Sequence, residues 1–352
     1  MSPSASQRRV RGLVLATFAL ALVLAIRDLP SVLYDDAAIT FRYAWRIAHG
    51  HGFTFNDGDR TNGASAPLYT LFLAAFSRLG IDLVVAAKIV GVSCYALSCS
   101  MIAWLGARLG GLRTAAFAAA LLIAITQYRN LALSGMESAF AVVLGLLVLC
   151  LLAARRDLLA GVVLGIAVVN KIDAGMLAIA VAIAYLAIER RAPLRLAGAA
   201  LLTAAPWFVF STWYFGSPVP HSAIQKATVV KNTARSHDPL WILRGLGTDW
   251  TLVLLALGTA SLLLVPRMAK ANHRLAIVFT ATVLWGWGHL TLFSLVDLGD
   301  SYPWYLTVIY PTISLGAAVG CSYAWGTACS SRLPRPARAA ADAHPGRQRG
   351  GP

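Results

Sequence analysis

Apolar stretches long enough to cross a bilayer recur along this 352-residue chain, for example over 13–26, 84–105, 195–214, 251–265 and 275–293. Roughly 20 apolar residues span a hydrocarbon core, and a helix satisfies its own backbone polar groups there. A water-soluble protein of this length has too little interior to hide so much apolar side chain. Hydrophobic residues make up 58% of the chain and charged ones 13%, outside the range of ordinary soluble domains. The sequence therefore predicts an all-α polytopic membrane protein with about ten transmembrane helices.

The formal net charge of +15 would suggest nucleic acid in a soluble protein. Its placement says otherwise. Arg8, Arg9 and Arg11, Arg108 and Arg113, Arg155 and Arg156, Arg190, Arg191 and Arg195, and Arg267, Lys270 and Arg274 crowd the links between alternate spans. The tail adds Arg332, Arg335, Arg338, Arg347 and Arg349, whereas only Asp157, Glu189 and Asp342 are acids in those same places. Cytoplasmic loops carry excess Lys and Arg. We therefore expect both termini in the cytoplasm of a plasma (inner) membrane protein. No nucleic-acid motif accompanies the charge.

This orientation fixes a path. Span 1 (about 11–28) leads to an external loop, 29–82, followed by spans 83–107, 114–132, 138–154, 158–171, 174–189 and 195–214. A second external loop, 215–247, precedes spans 248–266, 275–296 and 303–326. Span 1 reads as a retained signal anchor, since no small-residue cleavage site precedes Arg27. Lys171 closes a short span and is expected at the outer interface, its ammonium snorkelling to water. The five cysteines lie in or beside spans and read as small apolar side chains. Residues 1–330 are expected to form the membrane domain and 331–352 a basic, disordered cytoplasmic tail.

The chemistry concentrates in the first external loop. Asp35 and Asp36 stand where span 1 exits, and adjacent acids there need a reason, because Asp inside the bilayer is costly. Residues 36–48 place apolar Ile39, Tyr43 and Ile47 among polar Thr40, Arg42 and Arg46 at helical spacing, which suits a helix lying on the membrane surface. On spacing alone the acids read equally as helix capping or as catalytic carboxylates. A Gly-rich turn, His49-Gly-His51-Gly, leads to Asn62, Ser65, Pro67 and a second apolar stretch, Leu68–Leu79, read as a second juxtamembrane helix.

These residues carry a resemblance. The Asp35-Asp36 pair, the Ile-Thr-Phe-Arg-Tyr-Ala helix, the Gly-His-Gly-Phe turn and the Gly-x-x-x-Pro-Leu-Tyr helix resemble the C-superfamily of polyprenyl-phosphate-dependent glycosyltransferases (GT-C), and more closely its arabinofuranosyltransferase-like bacterial branch. Ser134-Gly135-Met136-Glu137-Ser138, Lys171-Ile-Asp173, and Pro206-Trp207 through Lys226 fit the same pattern.

The resemblance implies an extracytoplasmic active site fed by a polyprenyl-phosphate sugar from the bilayer. The acceptor is a cell-envelope glycan, lipid or protein. Asp35 takes the position of the general base in an inverting transfer, with Asp36 assisting. Lys171, Lys226, Arg42 and His221 are the external cations for the donor phosphate, and Glu137, Asp173, Asn62 and Ser65 for positioning the acceptor or substrate. Lys171 replaces the Arg, and Asn62 the acid, that relatives often carry. Each residue also has a plainer reading: Arg42 on lipid headgroups, Glu137 as a first-turn acid of its helix, and His49 and His51 as parts of the turn. A divalent metal is possible chemistry for such a site, but no ligand set indicates one. A transporter or flippase for a lipid-linked or anionic substrate is the second class that the residues admit, since it too would bind a lipid phosphate.

Overall fold

The computed structural model describes residues 5–29, 33–225, 249–296 and 303–332. Among these, the chain is helical without strands. The helices are α1 (Ala5–Arg27), α2 (Asp36–Ala48), α3 (Pro67–Arg78), α4 (Leu83–Ala124), α5 (Thr126–Ala132), α6 (Ser138–Ala153), α7 (Asp157–Asn170), α8 (Gly175–Glu189), α9 (Leu194–Phe215), α10 (Asp249–Ala260), α11 (Val265–Ala271), α12 (His273–Val296) and α13 (Ile309–Arg332). Short 3-10 turns lie at Ile172–Ala174, Ser261–Leu264 and Pro303–Val308. Lys226, most of the loop 215–247 that was expected to be external, and tail residues 333–352 lie outside the described residues.

α4 is two spans. Gly111 has φ 84° and ψ −168°, a conformation open essentially to glycine alone. A Cβ on Gly106 would come within 2.9 Å of Ala115 Cα; nine residues of straight helix would separate the two by about 13 Å. The chain therefore doubles back at Gly110-Gly111, between Arg108 and Arg113 as the charge pattern requires. Among the described residues seven helical runs are long and apolar enough to cross a membrane. Counting α4 twice and adding the shorter apolar α6 and α7 gives the expected ten. The expected span 114–132 is interrupted at Ile125, whose non-helical backbone (φ −77°, ψ 88°) separates α4 from α5. The break frees α5 to aim Arg129 at Asp28, 2.6 Å away at the end of α1.

α4, α12 and α13 are the most enclosed spans, while α1, α9 and the α10–α11 run face outward along most of their length. Small residues allow close helix approach where lipid provides no hydrophobic drive. On α7, a Cβ on Gly161 would meet the Leu196 carbonyl at 2.3 Å and one on Gly165 the Ala200 carbonyl at 2.5 Å, so α7 and α9 pack backbone to backbone. α2 and α3 pair across one end of this bundle.

Candidate active site

Asp35 is the N-cap of α2, but its Oδ1 accepts from the amide of Asp36 at 2.9 Å. A strong cap bonds the second or third helical amide instead. Capping therefore explains little of why an acid stands here. Asp35 is exposed and Asp36 half-buried at the head of α2. The preceding residue is fixed twice: the Tyr34 amide donates to the Ser134 carbonyl at 3.1 Å, and the Tyr34 ring lies 5.0 Å from that of Trp304.

The segment after α5 is built against this corner. Gly135 has φ +82°, and a Cβ on it would strike Leu33 Cδ2 at 2.7 Å. Tyr69 of α3 donates its hydroxyl to the Gly135 carbonyl at 3.0 Å and its amide to Asn170 Oδ1 at 3.1 Å. Two residues beyond Gly135, Glu137 Oε1 lies 3.0 Å from Lys171 Nζ. The Lys171 ammonium also faces the Tyr305 ring, 4.9 Å from its centroid. Asp173 Oδ2 lies 4.0 Å from His289 Nε2. Three sequence-predicted residues, Glu137, Lys171 and Asp173, thus share one cluster, joined to the Asp35 corner through Ser134 and through Trp304-Tyr305.

Lys171 corrects an expectation. It does not snorkel to water: the residue is 7% exposed and Glu137 is 2% exposed. Burial alone would disfavour the ammonium, and the Glu137 carboxylate with the face of the Tyr305 ring offsets that cost. A carboxylate on the facing segment has replaced water as the partner. Glu137, at the N-cap of α6 without a side-chain capping bond, serves as that partner.

The remaining loop residues hold the loop together. Arg46, expected among the polar positions of α2, is 4% exposed. It bonds Thr54 Oγ1 at 3.0 Å and pairs with Asp57, whose carboxyl it holds below the usual range by hydrogen bonding and charge. Arg42 donates to the Phe55 carbonyl at 3.2 Å. Asn62 is fully buried; its side-chain amide donates to Ser211 Oγ at 3.2 Å and its backbone amide to His221 Nδ1 at 3.0 Å. His221 spends one ring nitrogen on this bond. Ser65, half-buried, lines a crevice with Asn62 and Ile172. The rings of His49 and His51 stack on Trp45 at 4.2 and 5.7 Å. Among the described residues no group of three or more His, Cys, Asp and Glu is placed to hold a metal.

Two polar groups escaped the sequence reading. His289, 2% exposed in the middle of α12, was detectable as an ionisable side chain inside a span, where such residues are rare and costly. Lys88, near the start of α4, donates to the Leu133 carbonyl at 2.7 Å and so supports the 134–137 segment. In the sequence it passed unremarked inside the span 83–107.

No protein-family model matches this sequence, and no curated protein does. Solved structures do match. ArnT from Cupriavidus metallidurans bound to undecaprenyl phosphate superposes with a TM-score of 0.62 at 18% identity, over 91% of this chain and 62% of that one. Its apo state gives 0.64 at 17% identity over the same shares. The archaeal oligosaccharyltransferase AglB from Archaeoglobus fulgidus, in complex with an inhibitory peptide and a dolichol-phosphate, gives 0.52 at 14% identity, over 91% of this chain and 51% of that one. The chain thus spans about three fifths of the length of ArnT and half that of AglB. Identities this low establish architecture alone: over 91% of its length the chain shares the fold of these two structures.

Proposed function

We propose that this chain is a membrane glycosyltransferase that moves a pentose or hexose from a polyprenyl phosphate to an extracytoplasmic cell-envelope acceptor. The observation that carries the reading is the exposed Asp35 carboxylate beside Asp36, whose capping bond is the weak one, on a corner tied to a buried cluster of charge. The ArnT and AglB structures, with undecaprenyl phosphate and dolichol-phosphate, support the lipid-phosphate carrier.

Asp35 takes the proton from the acceptor hydroxyl as its oxygen attacks the anomeric carbon. The bond from that carbon to the phosphate oxygen breaks on the opposite face, its electron pair leaving with the lipid phosphate, and the anomeric configuration inverts. A positioned general base contributes about 10²–10⁴ in rate. The leaving phosphate calls for fixed donors and positive charge. Lys171 offers ammonium hydrogens rather than net charge, being neutralised by Glu137; Lys226, Arg42 and His221 complete the proposed donor set. Asp173 and Ser65 are the proposed acceptor-side groups, with Glu137 and Asn62 acting indirectly through Lys171 and the loop.

The test is release of free polyprenyl phosphate from a panel of polyprenyl-phosphate pentoses and hexoses, in membranes containing the chain. Asp35→Asn keeps the shape of the side chain but removes its basicity, so release should fall at least about a hundredfold. If Asp35→Asn and Asp36→Asn both retain near-normal release, the mechanism is wrong. Movement of the lipid between leaflets without release would favour the flippase reading.

A further inference from the structure

Two further cavities, a polar one at the opposite end of the bundle and an apolar one along α7–α9, have no role in the glycosyl-transfer reading. At the Arg-rich end, where α6, α8 and α11 stop and α7 and α12 start, a polar cavity of about 610 Å³ is lined by Arg155, Asp157, Tyr185, Glu189, His273 and Arg274, among others. From Pro193 and Leu194 at the start of α9, an outward-facing apolar groove of about 620 Å³ runs between α7, α8 and α9 past Leu164, Val168, Ala178 and Ala182. Liquid water occupies about 30 Å³ per molecule, so each space holds on the order of twenty heavy atoms.

The two cavities lie on one seam. Ala178, Ala182, Tyr185 and Glu189 fall at i, i+4, i+7 and i+11 along α8, and Asp157, Leu164 and Val168 at i, i+7 and i+11 along α7. Both sets are single helical stripes. The same face of each helix is therefore apolar in mid-bundle and polar at the Arg-rich end. α7 packs on α6 and α9, and α8 packs on α12, while α7 and α8 barely touch each other, which leaves the seam between them open. At the other end the groove shares Val168 and Phe208 with the crevice beneath Ser65, which at about 10 Å³ admits one water at most. The opening with room for a head group is the Arg-rich one.

The charges of the polar cavity select the ligand. Arg274 is committed: it donates from Nε to the Leu152 carbonyl at 2.7 Å, contacts the Tyr185 hydroxyl and pairs with Asp157. Its charge is therefore spent within the cavity floor. Arg155, turned outward by its left-handed backbone at φ 61°, and Glu189 are both exposed. One cation and one carboxylate on the rim of a neutral floor match a zwitterion.

We propose that the α7–α8 seam binds a phospholipid of the Arg-rich leaflet that carries a phosphodiester and a primary ammonium, as phosphatidylethanolamine does. The phosphate is held by Arg155, the ammonium by Glu189, and an acyl chain lies along Ala178 and Ala182.

The full chain, purified in detergent and exchanged into nanodiscs of phosphatidylethanolamine, phosphatidylglycerol or phosphatidylcholine, tests this by native mass spectrometry. One phosphatidylethanolamine should be retained at least about tenfold over the other two. Arg155→Ala and Glu189→Gln should each remove that preference, and Ala182→Trp should remove retained lipid altogether. Each variant should stay monodisperse and keep donor turnover, since none touches the proposed active site. Equal retention of phosphatidylglycerol, with Glu189→Gln silent, would overturn the zwitterion assignment. Protection of the chain by soluble phosphoethanolamine as strongly as by the lipid would assign the cavity to a soluble phosphate compound. Displacement of the bound lipid by polyprenyl phosphate would give the groove to the donor and end the proposal, while leaving Asp35 untouched.

Discussion

Lys171 Nζ lies 3.0 Å from Glu137 Oε1, with the two side chains 8% and 3% exposed, so the cation that the sequence offered for a lipid phosphate is already paired. A buried pair of this kind is weak support for stability as a pair but costly to break singly, because the orphaned charge stays buried.

The first prediction follows from that asymmetry. Lys171→Met or Glu137→Gln alone should destabilise the folded chain by about 3–5 kcal/mol, whereas the double variant Lys171→Met with Glu137→Leu should recover most of the loss. Thermal unfolding in detergent reads both. If Lys171→Met is as stable as the parent and only the donor KM changes, Lys171 faces the lipid phosphate and the pairing is secondary.

The ten spans, the link between Arg108 and Arg113 and the two short helices of the first loop were legible because each rests on local chemistry: apolar length, clustered arginines and helical spacing. The positive φ of Gly111 that turns the chain in that link was not singled out. The partnership of Glu137 with Lys171 was not. It joins positions in different links, and spacing along the chain carries no information about which links face each other. The same holds for Asn62, whose staple to Ser211 and His221 crosses about 150 residues, and for His289, whose neighbour Asp173 comes from another hairpin.

Orientation is a second prediction. By the charge rule, the first loop should lie outside and the Arg-rich α6–α7 link inside. A thiol introduced at Asp57, which is well exposed, should react with a membrane-impermeant maleimide applied from outside, and one at Arg156 should not. Cys94 and Cys99 are buried and should contribute little background. The reverse labelling would put the Asp35 corner in the cytoplasm.

The tie between α2 and the following turn should depend on pH in a defined direction. Arg46 holds the Asp57 carboxyl below its ordinary value of 3.8, so its contribution is full above that value and is lost as pH falls through the lower folded one. Limited proteolysis within 52–60 should therefore stay slow at pH 5 and accelerate only as pH falls below 3.8. Asp57→Asn should cleave readily at both. Equal rates for parent and variant at pH 5 would remove Asp57 from the fastening.

The last prediction concerns Gly135, which couples the Asp35 corner to Glu137. Two separate penalties meet there. Its φ of +82° is unfavourable for any residue with a Cβ, and that Cβ would lie 2.7 Å from Leu33 Cδ2. Gly135→Ala should cost about 1–3 kcal/mol from the backbone alone, and more with the clash. Shrinking the neighbour, as in Gly135→Ala with Leu33→Ala, relieves only the steric part and should restore stability incompletely. The effect on turnover separates architecture from chemistry. Displacing the 134–137 segment moves the carbonyl of Ser134, which receives the Tyr34 amide, and with it the carboxylates of Asp35 and Asp36. Turnover should therefore fall in Gly135→Ala at temperatures where the protein is still folded, and part of that loss should persist in the double variant. Normal turnover in a destabilised Gly135→Ala would mean that Asp35 is placed by α1 and α2 alone, and that the contacts with Ser134 and Gly135 serve only the stability of the bundle.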